Sequence, residues 1–452
     1  MIRYPYNLLM LALVPLLRRR LAKRGVMESG YLVAVEERFG RYPDVPQGGF
    51  VWVHAVSLGE TRAAAVLIAR LRAQLPSMRL LLTHGTATGR AEGKKLLRPG
   101  DVQVWQPWDT MGVVKRFLAH FKPRIGLLIE TEIWPNLTAE CQLAGVPLVL
   151  VNARMSEKSL KESLNLSWLA RPAFSALTTT WAQTQADAQR LVALGAPVGG
   201  VFGNLKFDAQ PNTEQLDLGR AWRQALGRPV VLLASSREGE ELALLEILSS
   251  FRPSAQEGRA SPAINLEVTN SQWLIVPRHP QRFNEVAELI ESFGFRVSRR
   301  STWASGPPEL EDDANHEDAS DASVPTIWLG DSLGEMALYY GLADLALLGG
   351  SFEPLGGQNL IEAAACACPV VMGPHTYNFK EAAELAEAAG AAGRVVNLTE
   401  AFKVAQALVG DAHARGAMVS AATEFSSAHR GAVEKTAAAV LALLGEQGVD
   451  AT

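Results

Sequence analysis

Cysteine is scarce in this chain: Cys141, Cys366 and Cys368 are its three thiols among 452 residues. None stands in a metal-ligand spacing, so a zinc site and a disulfide scaffold are both excluded. Buried free thiols in a reducing compartment are expected instead. The eight histidines are scattered, without the H-E-x-x-H of a metalloprotease. No G-x-x-x-x-G-K-[ST] occurs, which argues against a P-loop triphosphatase. No G-x-G-x-x-G follows the first strand, which argues against a dinucleotide dehydrogenase. A large charge excess is lacking too. The formal net charge of −4 gives no reason to expect nucleic acid as a partner. What remains is an ordinary globular composition, 48% apolar and 20% charged, with length enough for two or three domains.

Long hydrophobic runs are missing, with one short exception. Tyr6–Leu17 is apolar apart from Asn7, and Arg18, Arg19, Arg20, Lys23 and Arg24 follow it. A spanning helix needs about 20 apolar residues, and Pro15 interrupts this run. A secretory signal carries its charge before the apolar run and a small-residue cleavage site after it; here the order is reversed. The segment, residues 1–24, is expected to be an uncleaved membrane contact, spanning or interfacial, with the basic side cytoplasmic; the alternative is a helix packed on the protein's own surface. It lies outside the repeating pattern that follows, so neither domain core is expected to need it.

From Phe50 onward, short apolar strands alternate with amphipathic helices. Strands are predicted at Phe50–Val56, Arg79–Gly85, Arg124–Glu130, Pro147–Arg154, Thr178–Thr184, Pro229–Ser236, Gln272–His279 and Phe295–Arg300. Such alternation builds α/β domains on parallel sheets. Two Rossmann-like domains facing across a cleft are expected, over residues 25–212 and 213–445, with a linker around Ala209–Gln215. Pro253–Ser271 and Ser301–Pro325 break the pattern. The second carries Glu309, Glu311, Asp312, Asp313, Glu317, Asp318 and Asp321 with no Lys or Arg among them, and both are expected to be solvated loops.

Residues 330–378 are the most informative stretch. Apolar strands at Asp344–Leu348 and Pro369–Met372 flank a turn running from Gly349–Gly350 to Gly356–Gly357, which feeds a helix near Gln358–Asn359. Glycines let a ligand approach the backbone, and a helix start offers free N–H groups to a phosphate. Such turns also occur merely to close tight connections.

Three further sets stand at the carboxyl ends of strands, the ligand-facing edge of an open α/β sheet. In Ser57-Leu58-Gly59-Glu60 the spacing is that of a helix capping box, yet a glycine in the first turn costs about 1 kcal/mol against alanine. Glu130 and Glu132 in Glu130-Thr131-Glu132-Ile133-Trp134-Pro135-Asn136 share a side if the strand continues. Two close carboxylates split their pKa values; alternatively, one of them caps the helix that Pro135 begins. Arg154, Lys206, Arg237, Arg278 and His279 form a basic set suited, if convergent, to an anionic substrate.

In order along the chain stand HAVSLGE, IETEIWPN, NARMS, GNLKFD, ASSREGEE, IVPRHPQRF, GDSLGEM, GGQNLIEAAA and VMGPHTYNF. Together they resemble the 3-deoxy-D-manno-octulosonic acid (Kdo) transferases of lipopolysaccharide synthesis, glycosyltransferase family 30. The resemblance runs from the N-terminal segment to about residue 440. It implies a GT-B fold and an inverting transfer from CMP-Kdo to a lipid A precursor, lipid IVA, at the cytoplasmic face of the inner membrane. No cofactor or metal is implied, since the leaving group is CMP. Glu60 matches the general base, and Glu130 and Lys206 match positions that stabilise the transition state. CMP-binding positions match Pro277, Arg278, Leu333, Gly334, Glu335, Asn359, Leu360, Ile361 and Glu362, with Glu362 on the ribose hydroxyls. Gln358 stands where the family commonly has histidine, and Arg237 lies in SSREGEE where STHEGEE is common. A glutamine accepts and donates hydrogen bonds but cannot be a cation. Two other readings are a GT-B enzyme using a UDP-sugar, either transferase or epimerase, and an inactive lipid-binding scaffold. The ordered motifs favour Kdo transfer over the first, and intact Glu60 argues against the second.

Overall fold

The computed structural model describes residues 3–251, 271–304, 306–308 and 324–449. The chain forms two units, one comprising residues up to 208 and from 429 on, the other residues 209–428.

The first unit holds strands β1 (Phe50–His54), β2 (Arg79–His84), β3 (Val102–Trp105), β4 (Ile125–Ile129), β5 (Leu148–Ala153), β6 (Thr179–Ala182) and β7 (Val198–Val201). They make one parallel sheet in the order β3-β2-β1-β4-β5-β6-β7. Successive side chains of a strand face opposite ways, and both faces here are covered. Phe50 and Trp52 therefore join Phe117 and Leu128 in one core, while Val51 and Val53 join Leu67 and Leu71 in the other. β3 and β7 have short, partly exposed patterns that leave little apolar signal in the sequence.

The second core receives Val433, Ala437, Val440 and Leu444 from the last helix, Ala432–Val449. Asp208 fixes that helix's entry: its two carboxylate oxygens accept from Gly431 N at 2.7 Å and Val433 N at 3.0 Å. The stretch 429–445, expected in the second domain, thus belongs to the first. An amphipathic helix alone does not reveal which sheet it will cover.

Helices Arg3–Ala12 and Val14–Met27 form the N-terminal segment. No helix among the described residues is long and apolar enough to cross a membrane. The segment is tied into the first unit, as in the alternative of a helix packed on the protein's own surface. The Tyr6 hydroxyl donates to Asp109 Oδ2 at 2.8 Å, Asn7 Oδ1 accepts from Met111 N at 2.8 Å, and Arg3 pairs with Glu140 at 3.0 Å. Leu21 packs with Tyr31 and Trp105. The opposite side stays bare, with Leu8, Leu9 and Leu11 respectively 65%, 56% and 49% exposed.

The second unit holds β8 (Val230–Ser236), β9 (Gln272–Pro277), β10 (Arg296–Arg299), β11 (Thr326–Leu329), β12 (Leu345–Leu348), β13 (Val370–Met372) and β14 (Ala392–Arg394). They too form one parallel sheet, ordered β10-β11-β9-β8-β12-β13-β14. Helix Thr213–Ala225, capped by Asn212, already belongs to this unit, so the second half of the expected linker is helical. Gly219 lets it press on helix Met336–Leu342: a Cβ there would lie 2.2 Å from Leu338 O. Most of the two polar insertions lies outside the described residues. Where the second begins, Ser301 and Thr302 sit exposed in a 3-10 turn, whereas Trp303, against expectation, is buried against Trp222 and Trp328.

Candidate active site

In an open α/β sheet, ligands meet the carboxyl ends of the strands where the strand order reverses. In the first sheet that point lies between β1 and β4. The turn after β1 carries Ser57–Glu60 and the turn after β4 carries Glu130–Asn136. Two of the predicted sets are therefore neighbours through topology, although about 70 residues part them in the chain.

Ser57 does cap helix Leu58–Gln74, its Oγ accepting from Glu60 N at 3.4 Å. Glu60 Oε2 accepts from Val56 N at 2.8 Å, and Oε1 accepts from the Ser57 hydroxyl at 2.8 Å. Ser57 is thus the cap, but the reciprocal bond of a capping box is not made: Glu60 takes Val56 N rather than Ser57 N. A carboxylate oxygen has two acceptor sites, so each oxygen keeps one for a substrate hydroxyl. Burial pushes the Glu60 carboxyl up to about 7, and the negative charges of Glu130 and Glu132 add to it against the lowering bonds from Val56 and Ser57. Gly59 answers no internal packing need, since a Cβ there would meet nothing nearer than Ser57 Oγ at 4.0 Å.

β4 ends at Ile129, so strand alternation does not place Glu130 and Glu132, as the sequence suggested. Glu130 instead takes a left-handed conformation, φ +67°, rare for a residue with a side chain and common at functional turns. Lys206 Nζ donates to Glu130 Oε1 at 2.8 Å, both side chains being largely enclosed. Glu132 accepts from the Trp134 indole at 2.8 Å, and burial raises its carboxyl above the usual range. Neither glutamate caps the helix Pro135–Leu143. Asp109 does: Oδ2 accepts from Asn136 N at 3.0 Å and Oδ1 from Leu137 N at 2.7 Å. Burial pushes this carboxyl up to about 6. Sequence reasoning missed Asp109, because a cap supplied from another loop leaves no local spacing.

Asn152 helps to place Lys206 beside Glu130. Asn152 is itself left-handed, φ +55°, and its Oδ1 accepts from Leu205 N at 3.0 Å, fixing the turn that carries Lys206. NARMS therefore contributes to this geometry through its asparagine, whereas attention in the sequence fell on Arg154, which is half-buried and donates its N–H to Glu130 O at 3.4 Å.

In the second sheet the order reverses between β8 and β12. Arg237 follows β8, Pro277 ends β9, and Arg278 donates its N–H to Ser236 O at 3.0 Å. Burial lowers the His279 imidazole, and the charges of Arg237, Arg278 and Arg282 lower it further against the opposing charge of Glu238. Leu333 is well exposed, Gly334 has φ +82°, and Glu335 pairs with Arg300 at 3.0 Å. Asn359 caps helix Leu360–Ala365, its Oδ1 accepting from Ile361 N at 3.2 Å; Leu360 and Ile361 are buried and Glu362 half-buried. That helix is only six residues long. Gly349 is needed for close approach, since a Cβ there would stand 2.4 Å from Ser235 O.

Glu60, Glu130 and Lys206 thus lie in the first unit, and the positions expected to bind CMP lie in the second. A family model described as 3-deoxy-D-manno-octulosonic-acid transferase (kdotransferase) matches residues 34–209. The 3-deoxy-D-manno-octulosonic acid transferase of Bordetella pertussis is 43% identical, over 97% of this chain and 99% of the relative. That of Haemophilus influenzae is 31% identical over 96% of each. A UDP-GlcNAc 2-epimerase from Neisseria meningitidis, solved with UDP-GlcNAc, covers 88% of this chain and all of its own, with a TM-score of 0.53 at 14% identity. The last likeness shows the fold alone, because one architecture hosts many chemistries. Identity over nearly the whole length makes this glycosyltransferase a member of the 3-deoxy-D-manno-octulosonic acid (Kdo) transferase family.

Proposed function

We propose that the chain transfers Kdo with inversion from CMP-Kdo to a lipid A precursor, lipid IVA, with Glu60 as general base. The observation that carries this reading is a largely enclosed Glu60 carboxylate, held by Val56 N and the Ser57 hydroxyl with acceptor sites to spare, at the switch point whose other side carries Glu130 paired with Lys206. Glu60 takes the proton of the acceptor hydroxyl as that oxygen attacks the anomeric carbon. A base whose pKa lies near the working pH combines a useful ionised fraction with proton affinity. Lys206 offsets negative charge on the Kdo carboxylate or the departing phosphate, and Glu130 favours an oxocarbenium-like centre. CMP binds the second unit through Pro277–Arg278, Leu333–Glu335 and Asn359–Glu362. Incubation with lipid IVA and a CMP-Kdo generating system, followed by mass spectrometry of the lipid, tests the whole. One or more Kdo masses are expected, and unchanged lipid would overturn the reading. Calorimetry should show CMP binding in preference to UDP.

The acceptor is a lipid, and we place the protein on the cytoplasmic face of the inner membrane. Support comes from the bare Leu8, Leu9 and Leu11 beside the basic run Arg18–Arg24. Deleting the segment is a poor test, since it would strip Tyr6 from buried Asp109. Replacing Leu8, Leu9 and Leu11 together by serine spares those contacts. The wild-type protein should float with anionic phospholipid vesicles and the variant should stay behind, with unchanged circular dichroism. Equal flotation would place the membrane contact elsewhere.

A further inference from the structure

The glycine-rich turn after β12 presents backbone N–H groups of the kind that hold anions. Two of them are already engaged. Glu240, only 1% exposed, points its carboxylate into the turn. Oε2 accepts from Gly350 N at 2.7 Å and from Arg237 N at 2.9 Å, and Oε1 accepts from Phe352 N at 3.1 Å. One side chain thus joins the turn after β8 to the turn after β12, the two connections that flank the reversal of strand order. A buried carboxylate is costly unless its oxygens are hydrogen-bonded, and three N–H donors meet that need here. Its neighbour Glu241 is equally buried but serves elsewhere, accepting from Ser236 Oγ and from Arg282, each at 2.7 Å.

We infer that Glu240 is a positioning residue for the donor: an internal anion that occupies the N–H groups of Gly350 and Phe352 and so holds the turn in shape for CMP. These two groups are therefore scaffold rather than phosphate ligands. The inference rests on the reading that the second unit binds CMP.

The test uses the full chain with Glu240→Gln, and Glu241→Gln as a matched control. The amide can keep its oxygen toward Gly350 and Arg237, but its NH2 then opposes the N–H of Phe352. Hydrogen exchange across residues 349–357 should quicken in Glu240→Gln and not in Glu241→Gln. CMP affinity, measured by calorimetry, should fall about tenfold or more in Glu240→Gln, as for loss of a charge-assisted hydrogen bond, and stay near wild type in the control. A general structural defect would lower thermal stability in both variants without singling out that turn. Unchanged exchange at 349–357, or unchanged CMP affinity in a folded Glu240→Gln, overturns the inference. Failure of the wild-type protein to bind CMP would instead overturn the donor reading, while the exchange data still decide the brace. Should Glu240→Gln not fold, Glu240→Asp, one methylene too short to span the turns, gives the same two measurements.

Discussion

Glu60→Gln is expected to lower the turnover number by about 10²–10⁴-fold, the usual worth of a general base. CMP affinity should hardly change, since the donor positions lie in the other unit. The amide keeps the size and part of the contact with Val56 N and Ser57, but it cannot take a proton. In the wild-type protein the rate should rise with pH to a plateau above about 7, where the Glu60 carboxyl is ionised. Stability carries the opposite sign. The folded-state value lies above the ordinary one, so Glu60's contribution is full below the unfolded value of 4.5 and is lost as pH rises through about 7. Glutamine does not titrate, so the melting temperature of Glu60→Gln relative to wild type should climb as pH rises from 4.5, the unfolded value, to about 7 and level off above it. A residue that only capped the helix would give a loss of about 1 kcal/mol in stability with the rate preserved. Near-normal turnover by a folded Glu60→Gln would remove the base assignment.

Lys206→Met is expected to cost about 10²–10³-fold in turnover, as loss of one preorganised charge at a developing anion does. The methionine keeps most of the side chain's length and drops its charge. A second effect follows from the ion pair. Glu130 loses the cation 2.8 Å away, and its charge already raises Glu60. With the charge of Glu130 less compensated, the midpoint of the rate–pH profile should move upward from about 7. The shift separates this role from mere packing, which would lower stability and leave the midpoint alone. An unmoved midpoint together with full turnover would take Lys206 out of the machinery.

Both expectations concern residues that the motifs already marked, whereas Glu240, Asp109 and Asn152 emerged only in three dimensions. The difference is physical. A general base at a strand end stands beside a helix start, and both leave local traces: apolar strand, Ser-x-x-Glu, amphipathic run. Asp109 caps a helix that starts 26 residues later, and Glu240 braces a turn about 110 residues away. Such contacts have no period or spacing to read. The left-handed Glu130 and Asn152 are equally silent, because their conformations are imposed by surroundings rather than by residue type.

The alternation of apolar strands with amphipathic helices determined, unaided, two parallel-sheet units and most of their strands, because burial on both faces demands continuous apolar runs. The ordered motifs determined the family. Tertiary structure alone decided which sheet the last helix covers, that the N-terminal helices are tied to the first unit, and which carboxylates share a site. Those outcomes depend on strand order. Placing β4 beside β1 brings Glu130 to Glu60, and placing β12 beside β8 brings Gly350 to Glu240. Strand order is set by the summed packing of whole sheets, to which no single segment of the chain holds the key.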